Sequence, residues 1–140
     1  MPFDVAKMSG KWKFDSFSDN YPQVMDKMGV PSDRFEKVRA TEFPLDISLQ
    51  GNVMTSKLVY LGKTIENSLT MGEEGEENDT SGKKRMVTYT LEGDCLVSVY
   101  PDHDGKGLPV HTSRHFVDDD TIRMTIKAGD VEGWALIKRC

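Results

Sequence analysis

The chain has 140 residues, of which 37% are hydrophobic and 29% charged, as in one soluble domain rather than two. Its formal net charge of −5 argues against a nucleic-acid partner, because binding phosphates requires a basic face. The apolar runs are far shorter than the roughly 20 residues of a membrane span, and residues 1–7 lack the apolar segment of a secretory signal. We therefore expect a cytoplasmic, monomeric protein with one domain over residues 1–140.

The first third of the chain predicts one strand followed by two short helices. Residues 10–18 alternate in polarity, as a half-buried strand does. A helix follows, with Asn20 as a candidate N-cap and Gly29 placed to end it. A second helix is predicted from Ser32, another candidate cap, to about Ala40.

The rest of the chain consists of short strands separated by turns that are rich in Gly, Asn and Asp. The acidic stretch 72–78 has room for one further short strand. The predicted strands are Phe43–Leu49, Val53–Leu61, Thr64–Met71, Lys84–Leu91, Cys95–Tyr100, Val110–Val117, Thr121–Lys127 and Gly133–Lys138.

Many short strands at close, even spacing indicate an antiparallel sandwich or barrel. A sheet this long loses its exposed edges by closing on itself, and helices with no strand between them are expected as a lid at one mouth. A barrel of about ten strands is too wide for its own side chains to fill. The pattern predicts an all-β, ten-stranded antiparallel up-and-down β-barrel with a two-helix lid and an internal cavity for a ligand.

Four segments, in order along nearly the whole chain, carry recognisable motifs. They are Gly10–Lys13, with a Gly-x-Trp start; Asn20–Val30, similar to a helix closed by Leu-Gly-Val; Leu69–Val87, similar to Leu-Gly-x-Glu-Phe-x-Glu and its following strand; and Thr112–Asp118, a strand with an arginine. Together these segments resemble the intracellular lipid-binding proteins, the family of fatty-acid-binding and cellular retinoid-binding proteins. The resemblance implies a lipocalin-like barrel, or β-clam, that carries fatty acids or retinoids non-covalently and without catalysis.

The C-terminal strand departs from this family. The resemblance implies that the ligand carboxylate is held by an internal arginine together with an Arg-x-Tyr near the C-terminus. Here that region reads Gly133–Cys140, and depending on a one-residue gap the two positions fall on Ala135 and Ile137 or on Trp134 and Leu136. Neither alignment gives Arg-x-Tyr, so a different grip on the ligand is expected.

Arg114 is the first candidate for binding a head group. It shares one face of an alternating strand with Thr112 and Phe116, and the resemblance implies that this face is internal. A guanidinium keeps its charge inside a protein, so it needs a carboxylate, water or an acidic neighbour when buried. A fatty-acid carboxylate would supply a charge-assisted bond. The alternative is an arginine on the outer face of the barrel.

Hydroxyl groups near Arg114 are further candidate ligand contacts. Thr112 shares its face, and Ser98 and Tyr100 share a face of another strand, where either hydroxyl would replace the missing tyrosine. For Ser98 and Tyr100 the alternative is an ordinary pair that faces solvent.

Three apolar residues are candidates for contact with the ligand tail. Tyr21, Met25 and Val38 match positions on the family's lid helices that touch the ligand, and a flexible Met suits varied acyl chains. The same spacing also serves to pack a helix onto a barrel.

No metal or cofactor is predicted. His111 and His115 lie four residues apart, which on a strand separates them by about 13 Å, too far to share an ion. The acidic run Glu73–Glu77 lacks the spacing of a calcium loop and is expected to be a solvated turn. Trp12 is expected to plug the closed end of the barrel.

The basic residues offer a candidate membrane contact. Lys27, Lys37 and Arg39 near the lid, with the cluster Lys83–Arg85, would touch an anionic membrane transiently during ligand delivery. Ordinary solvated charge is the alternative.

The sequence therefore predicts an intracellular carrier that reversibly binds a long-chain fatty acid or similar hydrophobic carboxylic acid. A retinoid or bile-acid-like carrier, or a lipid-responsive protein with a non-standard head-group site, is the alternative. No Gly-x-Ser-x-Gly turn, HExxH pair or Cys/His pair indicates an enzyme. A bridge between the two cysteines, Cys95 and Cys140, is unsupported; it would favour a secreted lipocalin.

Overall fold

The computed structural model describes residues 3–60, 62–78 and 82–140, without the side chains of Ser32, Val38 and Tyr60. A short 3₁₀ turn, Val5–Met8, precedes the first strand and was not predicted. The helices are α1, Tyr21–Lys27, and α2, Ser32–Ala40. The strands are β1 Gly10–Phe17, β2 Phe43–Gln50, β3 Val53–Tyr60, β4 Lys63–Thr70, β5 Gly75–Asn78, β6 Lys84–Glu92, β7 Cys95–Tyr100, β8 Val110–Asp118, β9 Thr121–Ala128 and β10 Val131–Arg139.

These described strands form one antiparallel sheet in the order β4-β3-β2-β1-β10-β9-β8-β7-β6-β5. Pairing of the first strand with the last curls the sheet into a nearly closed barrel, which confirms the predicted architecture. The side chain of Asn67 on β4 joins the two edges of the sheet, β4 and β5. Asn67 donates from Nδ2 to the carbonyl of Asn78 at 3.1 Å, and its Oδ1 accepts from the Asn78 N–H at 2.8 Å. This pair of bonds satisfies edge groups that would otherwise be open.

Side chains alternate between the inside and the outside of the barrel with the period of two that a strand imposes. On β9, Ile122, Met124 and Ile126 are buried, whereas Arg123 and Lys127 are exposed. The apolar core therefore lies on the inner face of the sheet, as the alternation predicted. The predicted strand end at Leu61 falls outside the described residues.

The two helices lie beside the junction of the first and last strands. Helix α1 lies against β9 and β10, and α2 lies against β1. Close approach of α1 requires Gly133 on β10, because a Cβ there would lie 2.9 Å from both Ser18 Oγ and Val24 Cγ2. Within the described residues, no helix has the length and apolar character needed to cross a membrane.

The ends of α1 are fixed in two ways. Gly29, with φ of 78°, follows the last turn and ends the helix as predicted. Asn20 occupies the N-cap position, but its side chain forms no capping bond; instead its Nδ2 donates to the carbonyl of Glu132 at 2.6 Å. The start of the helix is thus tied to β10.

Trp12 lies near the start of β1, at the opposite end of this strand from the link to α1, and is only 1% exposed. Its Nε1 donates to the carbonyl of Met8 at 2.7 Å. The guanidinium of Arg139 lies 4.3 Å from the ring centroid and donates to the carbonyls of Ser9 and Lys7, at 2.6 and 2.7 Å. The indole therefore links the N-terminal turn to the last strand at this end of the barrel.

Candidate functional site

The barrel contains a cavity of about 390 Å³, within the range of roughly 300–1,000 Å³ that ligand pockets occupy. Most of its lining is apolar and comes from several strands, including the side chains of Trp12, Phe14, Phe43, Ile47, Met54 and Ile137. The polar lining consists of Ser56, Asn67, Glu77, Asn78, Tyr89 and Arg114. Such a cavity suits an elongated apolar molecule that carries a small number of polar groups.

Arg114 lines the cavity, on the inner face of β8. Its cross-strand neighbours are Leu96 on β7 and Met124 on β9. Its Nη1 donates to Thr112 Oγ1 at 3.2 Å. Among the described residues no acidic side chain pairs with it, and its hydrogen-bond partner there is this threonine.

The inward positions of β10 are now defined. Ala135 is fully buried opposite Met124, and Ile137 lines the cavity. Trp134 lies on the outer face, where the guanidinium of Arg123 is 4.9 Å from its ring centroid. Of the two candidate pairs, Ala135 and Ile137 are therefore the one that faces inward, and neither residue is an arginine or a tyrosine.

Ser98 and Thr112 are both buried and their hydroxyls are hydrogen-bonded to each other across β7 and β8. Neither side chain lines the cavity. Because Thr112 Oγ1 also accepts a hydrogen bond from Arg114, the hydroxyl pair helps to hold the guanidinium in position. The two residues therefore support the side chain of Arg114 without lining the cavity themselves.

Glu77 lines the cavity, so the prediction of a fully solvated acidic run is wrong at this residue. Strand β5 alternates, which turns Glu76 outward and Glu77 inward. The hydroxyl of Tyr89 donates to Oε2 of Glu77, and that of Tyr100 to Oε1, both at 2.6 Å. Burial raises the pKa of both phenols, so they are protonated donors at neutral pH. Tyr100, a candidate ligand contact, thus donates its hydrogen bond to Glu77.

The two candidate tail contacts on α1 are buried between helix and barrel. The ring centroid of Tyr21 lies 4.7 Å from that of Phe17 and 5.4 Å from that of Phe35. Tyr21 and Met25 are both buried, and neither lines the cavity. Burial also raises the pKa of Tyr21. The side chain of Val38 lies outside the described residues.

His103 lies in the loop between β7 and β8, beside the tyrosine that binds Glu77. Its ring meets that of Tyr100 edge-on, with centroids 5.3 Å apart, and its carbonyl accepts from Nε of Arg85 at 2.6 Å. Its buried Nδ1 has no hydrogen-bond partner within the described part of the chain. Burial, followed by the nearby charge of Arg85, lowers the pKa of His103 to about 4. The imidazole is therefore neutral at physiological pH.

The described ranges contain no candidate metal site and no disulfide bond. No group of three or more His, Cys, Asp or Glu side chains could hold an ion there. Cys95, which is half-buried, and Cys140, which is exposed, are both free thiols. The predicted alternative of a bridge between them is therefore not found.

Comparison with known proteins gives a consistent result. Residues 6–134 match the lipocalin / cytosolic fatty-acid binding protein family. Fatty acid-binding protein 1 of Fasciola gigantica is 31% identical over 128 residues, covering 91% of this chain and 94% of the relative. Fatty acid-binding protein type 2 of Fasciola hepatica is 33% identical over 131 residues, with coverage of 91% and 94%. Gastrotropin of Mus musculus is 30% identical over 132 residues, covering 94% of this chain and 96% of the relative.

Solved structures agree with these relatives. The REP1-NXSQ fatty acid transporter is 25% identical, with a TM-score of 0.75 over 96% of this chain and 97% of its own. The Schistosoma mansoni fatty acid binding protein in complex with arachidonic acid has a TM-score of 0.77 over 97% of this chain and 98% of its own. At 23% identity, the second structure supports the fold alone.

Proposed function

Because the chain belongs to the lipocalin / cytosolic fatty-acid binding protein family, we propose that it carries one long-chain fatty acid, or a similar hydrophobic carboxylic acid, reversibly inside its barrel. Family membership identifies the protein as a lipid carrier and not an enzyme. The proposal adds the chemical class of the lipid and its orientation, with the carboxylate at Arg114.

The observation that carries the proposal is a cation that lines a mostly apolar cavity without an acidic partner among the described residues. The half-buried guanidinium of Arg114 faces this apolar lining with a threonine hydroxyl as its hydrogen-bond partner, and a carboxylate would add charge-assisted hydrogen bonds. The hydrocarbon tail would lie against the apolar lining, where each buried CH₂ group contributes about 0.8 kcal/mol. Arg114 would thus select an acid while the remaining lining holds its tail.

The proposal also places the carrier in the cytoplasm as a monomer that exchanges lipid with anionic membranes through its helices. The exposed side chains of Lys27, Lys37 and Arg39, at the ends of α1 and α2, support membrane contact. Each cation near an anionic surface contributes about 1 kcal/mol of attraction.

The substitution Arg114→Gln tests the role of the guanidinium. We expect it to weaken binding of stearic acid about tenfold, because a charged hydrogen bond is lost, and to change binding of methyl stearate by no more than about twofold. Titration calorimetry with each ligand measures both affinities. Arg123→Gln, on the outer face of β9, is the matched control and should change neither affinity. Equal losses for acid and ester in Arg114→Gln would show that Arg114 does not bind the carboxylate.

A further inference from the structure

A second polar group faces the cavity at a distance from Arg114. Arg114 lies opposite Leu96 on β7, and Tyr100, which binds Glu77, lies four residues further along the same strand. Four residues of a strand span about 13 Å of backbone, although the charge of Arg114 still reaches Tyr89, where burial raises the pKa and Arg114, by a smaller effect, lowers it. Tyr89, whose hydroxyl is 3.4 Å from that of Tyr100, reaches the same carboxylate from β6. The cavity wall therefore carries a cationic position and a separate anionic position.

The carboxylate of Glu77 has room for another donor. A carboxylate accepts about four hydrogen bonds, and the two phenols supply one to each oxygen. Both oxygens therefore act as acceptors. Since Glu77 also lines the cavity, part of its remaining acceptor capacity is directed at whatever occupies the barrel.

Charge decides which ligand group can use this capacity. A second carboxylate beside Glu77 would be repelled in the low-dielectric interior, so an acid head group is directed to Arg114 instead. A neutral donor, such as a hydroxyl, would be attracted, because hydrogen bonds to charged acceptors are stronger than those between neutral groups. The two positions together therefore suit a ligand that has an acid group at one point and a hydrogen-bond donor at another.

We propose that the preferred cargo is a hydroxylated long-chain acid, whose carboxylate binds Arg114 and whose chain hydroxyl donates to Glu77. This inference rests on the proposed function, since it presupposes an acid inside the barrel. It makes Glu77, together with its two tyrosines, the part of the site that distinguishes one acid from another.

The effect of an added hydroxyl group on the binding affinity has a direction that can be measured. In an apolar cavity without a partner, an added hydroxyl weakens binding, because its desolvation is not compensated. With the Glu77 acceptor in place, the same hydroxyl strengthens binding. Comparing an acid with its hydroxylated form therefore reports whether the acceptor is used.

The experiment titrates stearic acid and a mid-chain hydroxystearic acid into the wild-type protein, Glu77→Gln and Glu76→Gln. The third protein is the matched control, since it loses the same charge from the exposed outer face of β5. We expect the wild type to bind the hydroxy acid about fivefold more tightly than stearic acid, Glu76→Gln to keep this preference, and Glu77→Gln to lose it.

A wild-type protein that binds stearic acid as tightly as the hydroxy acid, or more tightly, overturns the inference while the proposed function stands. A preference that survives in Glu77→Gln overturns it as well. If the wild type binds neither acid, both the inference and the proposed function fail. The wild-type comparison needs no variant, so poor folding of Glu77→Gln would not obscure the result.

Discussion

Replacing Trp12 with alanine should lower the free energy of unfolding by about 4 kcal/mol, as truncation of a buried aromatic residue does. The indole is 1% exposed, so its removal leaves a void at the start of β1. The substitution also removes the donor to the Met8 carbonyl and the ring beneath Arg139. These losses affect the N-terminal turn and the last strand together.

Urea denaturation followed by far-ultraviolet circular dichroism measures this effect without depending on tryptophan emission. Trp134→Ala is the matched control, because this second tryptophan is half-buried on the outer face of β10 beside Arg123. We expect it to cost about 1 kcal/mol, the scale of an exposed cation–π contact and partial burial. Equal losses for the two variants would contradict a structural role specific to Trp12.

Acidification from pH 7 to pH 4 should destabilise the protein by about 2 kcal/mol through His103 alone, allowing for partial screening by solvent. Its pKa is about 4 in the folded state and 6.5 ordinarily. Between these values the unfolded chain binds a proton that the folded chain does not. Stability is therefore full above pH 6.5, falls as the pH drops below it, and levels off below pH 4.

Urea denaturation at a series of pH values measures this slope in the wild type, His103→Gln and His111→Gln. The Arg85 and Lys83 cations oppose protonation of His103, and the Asp104 carboxylate favours it. We expect His103→Gln to lose this part of the pH dependence and His111→Gln, whose side chain is exposed on β8, to keep it. A slope unchanged in His103→Gln would mean that the imidazole is not held neutral in the folded state.

The fold could be predicted because alternation and turn residues are local in the sequence. The bounds of β7 were predicted without error, and β10 was predicted as Gly133–Lys138 against Val131–Arg139 in the structure. The 3₁₀ turn Val5–Met8 was missed because four residues are too short to show a period. Strand alternation likewise put Arg114 on one face with Thr112 and Phe116, but only the family resemblance implied that this face is internal.

Partners in the site were harder to predict because they are distant in the chain. The hydroxyl of Tyr100 binds a carboxylate 23 residues away. Glu77 was assigned to a solvated run because its acidic composition was given more weight than the alternation of β5, which would have turned it inward. Tyr21 and Met25 could not be resolved from sequence, since packing a helix and roofing a cavity require the same apolar side chains.

A crystal structure of the protein with stearic acid tests the central claim most directly. We expect one lipid inside the barrel, its tail along the apolar lining and a carboxylate oxygen about 2.7–2.9 Å from a guanidinium nitrogen of Arg114. A lipid bound on the outer surface, or one inside whose carboxylate points away from Arg114, would contradict it.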